Sequence, residues 1–105
     1  MEGLRILVKV DALKDFESYT SREALVVFSA PDTCIPCRRL APQLDKLAGL
    51  IDYPIVYVDI GHENDGIGSL YEVQSIPLVY KFEDGKPVRT IQTRIASAMA
   101  KELAA

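Results

Sequence analysis

The sequence predicts an α/β fold in which a mixed central sheet carries helices on both faces, in the order β-α-β-α-β-α-β-β-α. Three observations point to it. Leu25-Val26-Val27-Phe28 and Pro54 to Asp59 are short apolar runs with little polar alternation, the pattern of strands buried on both faces. Segments with helical apolar spacing stand between and around these runs, so successive strands need crossover connections and run parallel. Near the end, two alternating segments meet at Asp84-Gly85, a hairpin signal that adds an antiparallel edge.

Leu4 to Val10 has the β-branched content of a short strand, and Asp11 to Tyr19 then reads as a helix with Leu13 and Phe16 on one face. Ala24 to Phe28 is the first fully apolar strand. Cys34 to Leu50 follows as a helix whose stripe is Leu40, Leu44, Leu47 and Ala48. Pro42 lies inside it, and because an internal proline removes a backbone hydrogen bond at a cost of about 3 kcal/mol, a kink is expected near Arg38 to Ala41.

Pro54 to Asp59 is the next apolar strand. Gly61 to Gly68 is a polar, glycine-rich connection that feeds a short helix through Leu70 and Val73. Leu78 to Glu83 and Val88 to Gln92 are the hairpin strands, joined by Asp84-Gly85-Lys86-Pro87, and Arg94 to Leu103 closes the chain as a helix carrying Ile95, Met99 and Leu103.

At 105 residues and 49% hydrophobic composition the chain suits a single domain, 1–105, with one core. Its formal net charge of -3 is spread rather than blocked, which argues against nucleic acid or an anionic membrane as partner. Apolar runs are far shorter than the roughly 20 residues that cross a bilayer, and no export signal is visible. A soluble cytoplasmic monomer is the expectation.

The only two cysteines stand as Cys34-Ile35-Pro36-Cys37, directly after the first apolar strand and at a helix start. In a reducing compartment such a pair is catalytic or metal-binding more often than structural. Dithiol chemistry needs one exposed, ionisable sulfur to attack a disulfide and a second close enough to resolve the mixed disulfide. At the helix start Cys34 meets free N–H groups and the positive dipole end, with Cys37 one turn in, so Cys34 is assigned as nucleophile with a lowered pKa and Cys37 as resolving thiol. Pro36 is tolerated in the first helical turn, and Arg38 and Arg39 add positive charge while Asp32 opposes it. Zinc fits poorly, since four ligands are needed and only His62 joins the two cysteines. No metal and no other cofactor is expected. His62 reads as a solvated loop residue and is assigned no role. Tyr53, Tyr57, Tyr71, Tyr80 and Met99 read as core or boundary residues.

These segments together resemble the thioredoxin family. The resemblance rests on Leu25-Val26-Val27-Phe28-Ser29-Ala30-Pro31 leading into Cys34-Ile35-Pro36-Cys37-Arg38, on the following helix with Pro42, and on Val56-Tyr57-Val58-Asp59, Tyr71-Glu72-Val73-Gln74-Ser75-Ile76-Pro77 and Tyr80-Lys81-Phe82-Glu83-Asp84-Gly85-Lys86. It implies a thioredoxin fold and a thiol–disulfide oxidoreductase that reduces or exchanges protein disulfides through a Cys34/Cys37 couple. It also implies that Ile76-Pro77 is a cis peptide beside the cysteines, and that Ile35, Pro36, Ile76 and Pro77 form the surface that meets substrate. A thioredoxin reductase or glutathione is the implied reductant.

The chain departs from the family pattern at several positions. Thr33 replaces a tryptophan before the pair, Ile35 replaces glycine, and one extra residue lies between Phe28 and Cys34. Val27 takes the place of a buried aspartate, no lysine occurs in Pro54 to Val58, and Gln92 or Thr93 stands where a glycine is usual. These changes imply a specialised or weakened member. Two other readings stay open: a redox-vestigial module of the same fold that binds a partner along Ile35 and Ile76, and a glutaredoxin-like enzyme, the latter disfavoured by Pro36 and the lack of a Gly-Gly segment after Pro77.

Overall fold

The computed structural model describes residues 6–105. Its elements are β1 (Leu7–Lys9), α1 (Leu13–Thr20), β2 (Ala24–Ser29), α2 (Ile35–Ala48), β3 (Ile55–Asp59), α3 (Ile67–Leu70), β4 (Leu78–Glu83), β5 (Lys86–Thr90) and α4 (Ala96–Ala104). This is the element order expected; of the first predicted strand, Leu4 and Arg5 lie outside the described residues. The strands form one sheet in the order β1-β3-β2-β4-β5. β1 and β2 run parallel to β3, while β4 is antiparallel to β2 and β5 to β4.

β2 is central, and every one of its residues is buried. Successive side chains of a strand point to opposite faces. Leu25 and Val27 therefore join Leu40, Leu44 and Leu47 of α2 and Met99 of α4 on one face. Ala24, Val26 and Phe28 join Phe16 of α1, Ile67 of α3 and Phe82 of β4 on the other. Two covered faces explain the lack of polar alternation in this strand, and each large side chain so enclosed contributes about 1.5–3 kcal/mol. Tyr71 and Tyr80 complete an aromatic group around Phe16, Phe28 and Phe82, and Met99 is fully buried, as a core reading of these residues requires.

The hairpin differs from expectation. Asp84 and Gly85 both take positive φ, 55° and 81°, which makes a two-residue turn of the mirror-image type whose twist suits the flanking strands. β5 thus begins at Lys86 rather than Val88 and ends at Thr90 rather than Gln92. Pro87 falls within it, opposite Phe82 at an irregular register. A proline is tolerated there because β5 is an edge strand, fully exposed, whose missing N–H breaks no interior ladder.

Helix ends also move. Cys34 is the N-cap of α2, not its first helical residue, and α2 passes through Pro42 as one element. α3 is a single turn that stops before Val73. Gly68 within it has a steric reason: a Cβ there would lie 2.9 Å from Ile60 Cγ2. α4 starts at Ala96, with Ile95 extended before it and 57% exposed, so Ile95 is not part of the core face assigned to it. Gln43 of α2 sets this boundary, because its side-chain oxygen accepts the Ala96 N–H at 2.9 Å.

Candidate functional site: a cysteine pair at the end of the central strand

β2 delivers the chain to the carboxyl end of the sheet, where a short loop turns it into α2. Thr33 N–H donates to the Ala30 carbonyl at 3.1 Å, closing that loop. Cys34 then takes an extended conformation (φ -125°, ψ 107°), and its sulfur accepts the Cys37 N–H at 3.2 Å. Sulfur here does what a serine or aspartate oxygen does at other helix starts, occupying one of the orphan N–H groups of the first turn. Ile35 and Pro36 supply the first two helical positions, and the proline lacks only an N–H that would have had no helical partner.

Cys34 and Cys37 are joined in a disulfide, with their Cα atoms 5.2 Å apart. The two sulfurs are unequally placed. Cys34 is half-buried at the surface, whereas Cys37 is 1% exposed beneath the helix start. Ile35 between them is 54% exposed, a large apolar side chain presented to solvent.

The Ile76-Pro77 peptide is cis, as the resemblance implied. Ile76 comes within reach of the pair: its carbonyl oxygen lies 3.9 Å from Cys34 Sγ, across 42 positions of sequence. Pro77 is buried at the start of β4, and its carbonyl accepts a long contact of 3.5 Å from Arg94 Nη2. The structure therefore brings Cys34, Cys37 and Ile76 together, with Ile35 and Pro36 on the exposed rim.

Sequence reasoning missed two sets of contacts, one beside the cysteines and one in the segment that follows β5. His62, assigned no role, has its Nε2 2.7 Å from Asp32 Oδ2 and 3.9 Å from Asp59 Oδ2. It thereby links the loop before Cys34 to the loop after β3, and places a basic ring beside the one carboxylate expected to oppose a Cys34 thiolate. Only local spacing is visible in a sequence, and these two residues are 30 apart. In the segment that follows β5, the Glu102 carboxylate accepts the N–H groups of Gln92 and Thr93 and the Thr93 hydroxyl. These bonds hold its carboxyl below the usual glutamate value of 4.5, the Gln92 N–H most strongly.

Val27 lies in the apolar cluster with Leu40 and Leu44 and pairs in register with Tyr57 of β3. Tyr57 turns its hydroxyl to Ser29 instead, 2.8 Å away. Among the described residues no group of His, Cys, Asp and Glu side chains is arranged to hold a metal ion, and no helix is long and apolar enough to cross a membrane.

Comparison with known proteins gives the same result as the geometry. The family model described as Thioredoxin matches residues 7–105. Thioredoxin of Staphylococcus epidermidis is 38% identical over 76 residues, covering 70% of this chain and 72% of that protein. Thioredoxin 1 of Synechococcus elongatus is 34% identical over 90 residues, covering 80% and 83%. Among solved structures, a single-site mutant of thioredoxin from Halobacterium salinarum superposes with a TM-score of 0.81 at 27% identity, over 93% of this chain and 88% of the other. With a Cys34–Cys37 disulfide at the end of its central strand and these relatives, the chain belongs to the thioredoxin family and is a thiol–disulfide oxidoreductase.

Proposed function

We propose that Cys34 is the attacking sulfur and Cys37 the resolving one in the reduction or exchange of protein disulfides. The observation that carries this assignment is their unequal access: a half-buried Cys34 whose sulfur already accepts the Cys37 N–H, in front of a Cys37 that solvent hardly reaches. That N–H favours negative charge on Cys34, and the helix start adds the positive end of its dipole. The reduced enzyme's Cys34 thiolate attacks one sulfur of the substrate disulfide. A bond forms between Cys34 and that sulfur, the substrate S–S bond breaks, and the departing thiolate takes up a proton. Cys37 then gives up its proton and attacks Cys34 Sγ, the second substrate thiolate leaves and is protonated, and the enzyme ends as the disulfide described above. Two electrons have passed to the substrate.

Ile35, Pro36, Ile76 and Pro77 are the contact surface in this reading, with the Ile76 backbone meeting the substrate chain next to the sulfur under attack. Recharging takes two electrons from a thioredoxin reductase or from two molecules of glutathione. The chain works as one domain, as a monomer, in the cytoplasm. Val27 in place of an acid supports a slower resolving step than in relatives with a carboxylate there, since Cys37 has no buried base beneath it.

The test is insulin reduction driven by dithiothreitol with wild type, Cys34→Ser and Cys37→Ser. Cys34→Ser should show no catalysis. Cys37→Ser should accumulate a mixed disulfide at Cys34, visible as added mass on that cysteine alone; accumulation on Cys37 in the Cys34→Ser protein would reverse the roles.

A further inference from the structure

Pro36 has a second neighbourhood. It forms one wall of a groove of about 310 Å³ that runs between the first turns of α2 and the segment entering α4, completed by Arg39, Leu40, Gln43, Arg94 and Ile95. The floor is apolar: Leu40 is buried, Pro36 is exposed, and Ile95 presents more than half of its surface to water although no core contact requires a large hydrophobe there. The walls are held in place. Gln43 is bonded across the groove to the Ala96 N–H, and Arg94 leans on the Pro77 carbonyl, next to the Ile76 carbonyl that faces Cys34.

Both charged residues of the lining are arginines. Among the described residues neither has a carboxylate within ion-pair distance, and no acidic side chain lines the groove. In a chain with 15 acidic and 12 basic residues this is a local reversal of sign, beside the reactive sulfur. Guanidinium groups offer paired N–H donors that match a carboxylate, and their planar faces pack on apolar or aromatic side chains.

We infer that this groove selects the protein substrate: it takes the chain segment flanking the attacked cysteine when that segment carries a bulky apolar side chain next to Asp or Glu. The apolar side chain covers Ile95 and Leu40, and the carboxylate lies between Arg39 and Arg94. The inference rests on the dithiol reading above and adds to it a preference among substrates.

Three disulfide-linked peptides, alike except that the cysteine is flanked by Phe-Glu, Phe-Lys or Ser-Glu, test it. Wild type should reduce the Phe-Glu peptide with a kcat/KM roughly three- to tenfold above the Phe-Lys peptide, the range expected of one or two solvent-accessible charge pairs, and also above the Ser-Glu peptide, which lacks the apolar side chain. Raising salt should shrink the gap between Phe-Glu and Phe-Lys. Arg39→Glu/Arg94→Glu should invert that order, and Ile95→Ser should abolish the advantage of phenylalanine. Equal rates for the three peptides, or an order that charge reversal leaves unchanged, would overturn the inference, as would a dimer in gel filtration that Ile95→Ser dissolves, because the groove would then hold a second copy of the chain. Neutral 2-hydroxyethyl disulfide separates the two levels. Wild type that reduces it without distinguishing the peptides loses only the groove, whereas wild type that reduces neither loses the dithiol reading as well.

Discussion

The Tyr57 hydroxyl donates to Ser29 Oγ at 2.8 Å, joining β3 to β2 at the end of the sheet that carries the cysteines. Ser29 is 1% exposed, and among the described residues no buried side-chain oxygen or nitrogen lacks a partner. Tyr57→Phe removes the donor and leaves Ser29 with one bond fewer in a site water cannot reach. A loss of about 1–3 kcal/mol in urea unfolding is expected. Adding Ser29→Ala to Tyr57→Phe should restore most of it, and the double-mutant cycle reads the coupling directly.

Val27 gives a prediction of opposite chemistry. Its side chain is fully buried in the apolar cluster of Leu25, Leu40, Leu44 and Val79. Val27→Asp should destabilise the fold by at least about 3 kcal/mol at pH 7. A carboxyl introduced there titrates above its unfolded value, so the penalty is complete at high pH and fades as pH falls toward the unfolded aspartate value of about 3.9. Urea midpoints measured at pH 7 and pH 5 should lie closer to wild type at the lower pH.

Glu102 sets the acid limit of the segment that follows β5. Its carboxyl titrates below the ordinary value because of the Gln92 and Thr93 N–H groups and the Thr93 hydroxyl. The folded state therefore binds its proton less readily than the unfolded chain. The stability it adds is present above the unfolded value of 4.5 and is lost as pH falls through the folded value. The stability gap between wild type and Glu102→Gln should be constant near neutrality and should narrow below about pH 4.5. A gap that widens in acid would contradict the geometry.

Lys81 is a buried lysine of β4, its Nζ 2.7 Å from Glu23 Oε2 and 3.0 Å from Glu83 Oε2, and 4.9 Å from the centre of the Tyr53 ring. Burial by itself pulls its pKa down, and the two glutamates together more than reverse this, leaving it raised. Its stabilising effect is present below the unfolded lysine value of about 10.4 and is lost as pH rises through the folded value. Both glutamates are half exposed, so Lys81→Met strands no buried charge and should cost only about 1 kcal/mol at pH 7. The alkaline loss of stability should be smaller in that variant.

What could be read in advance was local. Ala24 to Phe28 announced a central strand because both of its faces are covered, and Asp84-Gly85 announced the turn because only such a pair accepts two positive φ angles cheaply. Cys34 to Cys37 announced the site because the spacing of one helical turn is itself the chemistry. Pro87 obscured the start of β5, since a proline marks an edge strand only once the edge is known. Ile95 has the spacing of a core residue and lies outside the core because Gln43, 53 positions away from Ala96, caps α4 one residue later. The His62–Asp32 contact, the Tyr57–Ser29 bond and the meeting of Arg39 and Arg94 on one groove depend on packing between distant segments, and no periodicity along the chain encodes them.

The spacing of the cysteines also decides how far the redox state reaches into folding. A disulfide restricts the unfolded chain in proportion to the logarithm of the loop it closes, and with a sequence separation of only 3 that loop is nearly the smallest possible. On the chain-entropy scale it is worth about 2 kcal/mol, against about 4.7 for a loop of 100 residues. Neither apolar layer includes a cysteine, so opening the bond in each turnover takes from the scaffold little beyond that entropy.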